Sequence, residues 1–357
     1  MAYAAITKPS LHFNTITYTG DGTSPKARTG VGFQPDWVWS KTRSSVKNHQ
    51  LIDSVRGADK TLQSSVADTE GNQFSYGYLQ SFDSDGFTSI TGSTATDNWN
   101  ANGTNYVAWN WKAGGTASAN NDGSITSTVS VNTTAGFSIV KWSASASATI
   151  GHGLGQKPAM VITKSRDNAT NWATWHQGLS GTEQNVGVNL NTTAAESSFY
   201  TNYWGAGGFT SSVFGVLNSG FHNNVGEMIA YCFAEKKGYS KFGRYKGTGN
   251  ADNGAFIYTG FKPALFIQKR VDSTNDWHIH DNKRNTSNPL VDFLMANSSN
   301  AEANDTGKAL DFLSNGVKMR TTHASHNASG GSYIYMAFAE NPFVANVGSN
   351  GIPATAV

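Results

Sequence analysis

At 357 residues the chain has room for two or three domains, yet only 14% of it is charged and only 38% is hydrophobic. The balance is made up by 38 glycines and by many Ser, Thr and Asn residues, a composition that excludes both a helical bundle and a disordered charged tail. A formal charge of +2 gives no electrostatic case for a nucleic acid or for an anionic membrane.

Aromatic residues reach 12%, with 10 Trp, and these favour strands and bury large areas. With turn residues spread along the chain, they predict an all-β protein. The single cysteine, Cys232, lies in the apolar run Met228-Ile229-Ala230-Tyr231-Cys232-Phe233 and reads as a buried, inert thiol. The N-terminus has no basic segment followed by an apolar stretch, and no apolar run approaches the roughly 18 residues of a membrane span. Synthesis in a cytoplasm without membrane insertion is the expectation.

Residues 1–15 read as an N-terminal arm around Lys8-Pro9. A first unit, 16–112, carries Gly32-Phe33-Gln34-Pro35, a strand ending at Lys41, and a closing aromatic run at 106–112. Residues 113–136 form a connector rich in Gly, Ser, Thr and Asn, with weak strand alternation over 124–129. A second unit, 137–238, repeats the pattern as Gly153-Leu154-Gly155-Gln156-Lys157-Pro158, with its strand ending at Lys164. A third, 239–345, has Gly260-Phe261-Lys262-Pro263 and a strand ending at Lys269. A short tail, 346–357, follows. Short helices are predicted only at 54–62 and 290–294.

The spacings establish repetition. Proline to lysine is six residues in each copy (35 to 41, 158 to 164, 263 to 269). From that lysine to the closing aromatic is 70, 69 and 69 residues (Trp111, Phe233, Phe338). A period near 105 residues is too long for a solenoid repeat or a propeller blade. Three tandem β-sandwich modules of about 100 residues each, of jelly-roll or lectin-like type, are therefore expected.

Period-two alternation puts Trp37 and Trp39, Met160 and Ile162, and Leu265 and Ile267 on the same face as Lys41, Lys164 and Lys269. The lysine thus ends a core-facing row and must snorkel outward or pair. Asp53 and Asp281 lie twelve residues beyond their lysines, with Arg56 and Arg284 three further on; in unit two His176 and Leu179 take these places. Structural pairs Lys41–Asp53 and Lys269–Asp281 at the sandwich edge are the prediction, with no counterpart in unit two.

Catalysis finds no support. The acids sit mostly in turns such as Asp21-Gly22, Asp85-Gly86 and Asp122-Gly123, without the facing carboxylates a glycosidase needs. There is no Gly-x-Ser-x-Gly elbow, phosphate loop or Cys/His cluster, and no cofactor is implied. His278-Ile279-His280 puts two imidazoles on one strand face, but no third ligand follows at an obvious spacing, so no metal site is assigned. Recognition is better served. Trp172 and Trp277 both lie eight residues after their lysines, with Trp175 close by. Such rings are either equivalent core residues or platforms for sugar rings, with His278, His280, Asp281 and Arg284 beside them as hydrogen-bonding groups. Trp99 and Trp204 lie in polar loops and are candidate exposed anchors.

The wording of the repeats resembles a family of phage-encoded proteins, abundant in marine viral genomes, built from two or three copies of an uncharacterised β-sandwich module. The resemblance rests on the opening Met1-Ala2-Tyr3-Ala4-Ala5-Ile6-Thr7-Lys8-Pro9-Ser10-Leu11-His12-Phe13-Asn14, on Gly32-Phe33-Gln34-Pro35-Asp36, and on Ala108-Trp109-Asn110-Trp111-Lys112-Ala113-Gly114-Gly115-Thr116. It continues through Ala230-Tyr231-Cys232-Phe233-Ala234-Glu235, Lys241-Phe242-Gly243 and Tyr333-Ile334-Tyr335-Met336-Ala337-Phe338-Ala339-Glu340. It implies a virion protein: a tail-fibre or receptor-binding component contacting host surface glycans, working with other virion proteins as a homo-oligomer, a trimer by preference. A purely structural virion part and a polysaccharide-degrading enzyme are its rivals. The family supplies no catalytic residues to carry over.

Overall fold

The computed structural model describes residues 4–94, 97–144, 147–198, 203–217, 226–347 and 350–353. Parts of the expected N-terminal arm and C-terminal tail therefore lie outside the described residues. The chain is all-β, and helix among the described residues is limited to short 3₁₀ turns such as Pro9–Leu11, Phe74–Tyr76 and Thr306–Lys308. The helices expected at 54–62 and 290–294 are absent. The first segment is turns that end in bridge pairs of Thr61 and Leu62, and the second enters a strand at Asp292. Both are too short to nucleate a helix when a sheet edge offers backbone partners, and the first is interrupted by Gly57.

Unit one contains β1 (Phe13–Thr19), β2 (Lys26–Arg28), β3 (Trp37–Thr42), β4 (Gln50–Asp53), β5 (Tyr78–Asp83), β6 (Gly86–Ile90) and β7 (Asn105–Trp111). Its larger sheet runs β1-β7-β3-β4 and its smaller sheet β2-β6-β5, all antiparallel. The connector supplies β8 (Ser118–Asn120) and β9 (Ser127–Asn132).

The same order is then laid down again. Unit two has β10 (Phe137–Ala144), β11 (Ala148–Gly151), β12 (Met160–Ser165), β13 (Ala173–His176), β14 (Val188–Asn189), β15 (Trp204–Phe209), β16 (Val213–Val216) and β17 (Gly226–Phe233). They form sheets β14-β13-β12-β17-β10-β9-β8 and β11-β16-β15. Unit three has β18 (Ser240–Lys246), β19 (Phe256–Tyr258), β20 (Phe261–Arg270), β21 (Trp277–Asp281), β22 (Asp292–Met295), β23 (Ala303–Asn304), β24 (Leu310–Leu313), β25 (Gly316–Met319) and β26 (Ser332–Pro342). Their sheets run β18-β26-β20-β21-β22-β23 and β19-β25-β24. A last hairpin pairs β27 (Val344–Val347) with β28 (Asn350–Pro353).

The repeated turn has a backbone reason. The glycine three residues before the proline is Gly32, Gly155 or Gly260, with φ of +85°, +70° and +80°. A side chain there would be strained in the left-handed region, so glycine delivers the chain into each central strand.

Both faces of the central strands β3, β12 and β20 are buried, but against different things. Val38, Val161 and Phe266 pack inside their own sandwich, between the larger and smaller sheets. Trp37, Trp39, Met160, Ile162, Leu265 and Ile267 belong to a single apolar cluster common to all three units. The core-facing row read from the sequence is thus real, and the core it faces is the space between units. Trp111, Phe233 and Phe338, the equivalent closing aromatics, touch pairwise with ring centroids 6.5, 5.6 and 6.0 Å apart. Three equivalent side chains in mutual contact mark a pseudo-threefold axis within one chain. Phe13 extends the cluster by stacking on Phe338 of unit three at 5.1 Å, and the Ala5 amide donates to the Lys237 carbonyl at the end of unit two, so the N-terminal segment touches both other units.

Candidate functional site

Part of the sequence-selected set, namely the lysines, Asp53, Asp281, Arg284, Trp172 and Trp277, comes together at the junctions between units. Lys41, Lys164 and Lys269 are fully buried. Each ammonium donates to backbone carbonyls: Lys41 to Thr42 (2.7 Å) and Ser45 (3.2 Å), Lys164 to Ser165 (2.7 Å) and Asn168 (3.0 Å), Lys269 to Thr193 (2.8 Å) and to Asn275. Burial lowers their pKa values to about 7, 8 and 8.

The expected Lys41–Asp53 and Lys269–Asp281 pairs do not form. In the antiparallel hairpins Asp53 stands opposite Trp37, and Asp281 opposite Leu265, each at the far end of the strand from its lysine. Four residues of strand separate them, about 13 Å. The aspartates serve the arginines instead. Asp281 Oδ2 receives Arg284 Nε at 2.6 Å and, across the junction, Trp109 Nε1 at 3.0 Å. Asp53 Oδ2 receives Arg56 Nε and, across the other junction, the Tyr231 hydroxyl at 2.8 Å. Both arginines then reach a glutamate held by the neighbouring unit. Arg56 Nη1 meets Glu70 (3.0 Å), which grips Arg166 (2.6 Å); Arg284 Nη1 meets Glu302 (3.0 Å), which grips Arg43 (2.6 Å). The arginine stems and guanidinium groups are buried, and their remaining donors go to the Leu51 and Ile279 carbonyls.

Unit two fills the Asp and Arg places without charge, although Glu196 pairs with Arg244 of unit three at 3.5 Å across the same junction. His176 and Leu179 stand where the other units have Asp and Arg, and they face Met336, which replaces the polar-tipped Trp109 and Tyr231. His176 Nε2 donates to the Tyr335 carbonyl at 3.0 Å, while its Nδ1 accepts the Gly178 amide at 2.9 Å. Glu196 nonetheless occupies the glutamate place. Its amide donates to the Val271 carbonyl at 2.8 Å, as the Glu70 amide does to Arg166 and the Glu302 amide to Arg43.

A second set of bonds closes the ring in the opposite sense. Trp172 Nε1 donates to the Gln63 carbonyl and Trp277 Nε1 to the Asn189 carbonyl, both at 2.9 Å. The equivalent place in unit one is His49, also eight residues after its lysine, and its Nε2 bonds the Met295 carbonyl at 3.0 Å. Each accepting residue precedes the junction glutamate by seven (63 to 70, 189 to 196, 295 to 302). Unit two thus holds unit one, unit three holds unit two, and unit one holds unit three.

None of the selected rings is exposed. Trp172, Trp175, Trp277, Trp99 and Trp204 are at most 2% accessible. The expectation that Trp99 and Trp204 stand out as anchors is therefore corrected. Asp97 accepts the Trp99 and Asn100 amides, a turn that folds the polar loop inward and sets Trp99 edge-on against Phe87. Trp204 packs edge-on and Trp175 face-on against Phe209 in the second sandwich. His278, His280, Asp281 and Arg284 are buried too, so a ligand does not reach this set. The two imidazoles point into the third sandwich, where His280 Nε2 lies 3.1 Å from His326 Nε2 and the His278 ring is 4.6 Å from the His326 ring. Among the described residues no group of three or more His, Cys, Asp and Glu side chains is placed to hold a metal ion.

Sequence reading missed His49, Arg43, Arg166 and the three glutamates. Counting from the lysines finds the first three, at plus eight and plus two; the glutamates fall at plus 29, 32 and 33, because the loops before them differ in length.

No curated protein and no solved structure is significantly similar to the chain. One family profile does match, and it runs over residues 8–342, from the first 3₁₀ turn to the end of β26. A single profile covering the whole ring places the chain in a family, the domain of unknown function DUF7483.

Proposed function

We propose that the protein is a non-catalytic component of a phage virion, a tail-fibre or receptor-binding part that engages host surface glycans. The observation that carries this reading is how the repeated chemistry is used. The lysines, the Asp-x-x-Arg pairs and the clasping rings are buried and the junction glutamates half-buried, and together they tie three units of one chain into one body. That leaves recognition to the parts in which the units differ. A neutral, hydroxyl- and amide-rich surface supports contacts that salt does not screen. Assembly with other virion proteins, and self-association favouring a trimer, belong to the same proposal.

A purely structural place in the particle is the second reading, and the closed ring favours it, since a body of this symmetry seats on a threefold axis of an assembly. Particles of the virus whose genome encodes the chain provide the test. The chain is expected as a stoichiometric band in purified particles, with density at an exposed tip. Its absence from purified particles would refute the proposal, and density enclosed by other virion proteins would select the second reading.

A further inference from the structure

Three units built on one plan can be compared place by place. Strand β19 and its counterparts β2 and β11 each pair with the middle strand of a smaller sheet. Ile257 stands opposite Val317, Arg28 opposite Phe87 and Ile150 opposite Phe214, which makes these three the equivalent inward places. The flanking outward places hold Ala27 and Thr29 in unit one, and Thr149 and Gly151 in unit two. In unit three alone they hold Phe256 and Tyr258, which are 47% and 59% exposed.

These rings share one face of an edge strand, about 6.6 Å apart along it. Their cross-strand partners are Lys318 and Gly316. Gly316 is required by the backbone, since a Cβ there would lie 2.2 Å from the Ile257 carbonyl oxygen, and it leaves no side chain beside Phe256 and Tyr258. Tyr258 also borders a cleft of about 330 Å³, whose lining includes Glu235, Ser240, Lys241 and Thr259. Lys241 Nζ and Glu235 Oε1 are paired there at 2.6 Å, and Lys237 also lines the cleft.

We infer that this aromatic edge and its cleft form a binding platform for a neutral oligosaccharide. Sugar rings stack their C–H faces on Phe256 and Tyr258, and their hydroxyls bond to the Glu235 carboxylate and the Lys241 ammonium. Size selects this occupant over a protein. Two half-exposed aromatic rings offer roughly 200 Å², far short of the about 800 Å² per partner of a stable protein interface. Stacking on aromatic faces needs no charge on the ligand, and Lys241 already has its counter-charge in Glu235. This inference rests on the glycan-recognition part of the proposed function and gives it a location.

The full-length chain is applied to a printed array of neutral and N-acetylated oligosaccharides. The best-scoring sugar is then titrated against wild type, Tyr258→Ala, Phe256→Ala and the unit-two control Thr149→Ala, with Tm recorded for each. The expected result is at least tenfold weaker binding for both aromatic variants at unchanged Tm, with the control at wild-type affinity. Wild-type affinity in Tyr258→Ala and Phe256→Ala would overturn the platform and leave glycan recognition standing elsewhere on the chain. A wild-type chain that binds nothing on the array overturns the platform and glycan recognition together. Loss of a concentration-dependent dimer in the aromatic variants, with sugar binding intact, would overturn it in favour of pairing between edge strands of two copies.

Discussion

Lowering the pH from 7 to 4 is expected to unfold the protein, and the cause is the wiring of its buried histidines. His49, His152 and His176 each accept a hydrogen bond at Nδ1, from Trp39 Nε1 (2.8 Å), the Leu154 amide (3.1 Å) and the Gly178 amide (2.9 Å). Each also bonds a carbonyl at Nε2, that of Met295, Thr210 or Tyr335. A protonated imidazole has no acceptor, so every protonation sets two N–H groups against each other. His280 and His326, Nε2 to Nε2, share one proton and have no room for a second. Burial lowers His152, His176 and His278 to about 4, and His49, His280 and His326 well below the usual range.

In the unfolded chain these groups take up protons near pH 6.5, so the unfolded state binds more protons between 6.5 and 4. The contribution of these histidines is therefore complete above 6.5 and falls as the pH drops through that window; for the three groups near 4 it levels off below it. A histidine moved from 6.5 to about 4 contributes about 3 kcal/mol. Three of them cost about 10 kcal/mol, within the range of a whole protein's stability. Tm measured by circular dichroism should fall steeply as the pH drops from about 6.5 to 4; a Tm constant across this range would contradict the assignment.

Arg56→Leu is expected to destabilise the protein by about 3–5 kcal/mol in denaturant titration, because it strands the buried Asp53 carboxylate and one arm of Glu70. The chain itself supplies the rescue. Replacing Asp53 by His, Arg56 by Leu and Tyr231 by Met puts at the junction between units one and two the uncharged side chains that fill these places between units two and three. The triple variant should recover most of the loss, since a buried ion pair exchanged for well-packed apolar groups is nearly neutral. Strict additivity of the single losses would show that the junctions are not interchangeable.

Much of this was legible in the sequence, and the failures have specific causes. The row Trp37, Trp39, Lys41 and its counterparts follow from period two, as does the all-β class from composition. That both faces of the central strands are buried was also written there, since Trp37-Val38-Trp39 and Leu265-Phe266-Ile267 are apolar without alternation. A shared core is what such a run requires when only one sandwich interior is available. The partner of Asp53 was not legible. Twelve residues of spacing do not say where the hairpin turns, and the turn sends Asp53 to the end of the strand opposite Lys41. Trp99 was misplaced because polar neighbours read as solvent exposure, whereas Asp97 spends its carboxylate on turning the loop inward.

The central claim is that three repeats make one body around a shared core, and differential scanning calorimetry above pH 7 tests it most directly. Unfolding of all 357 residues carries a calorimetric enthalpy of roughly 250 kcal/mol. If the aromatic axis and the ring of clasps bind the units into one cooperative structure, the van't Hoff enthalpy equals the calorimetric value. A van't Hoff enthalpy near one third of it would mean three units that melt independently, and would contradict the account.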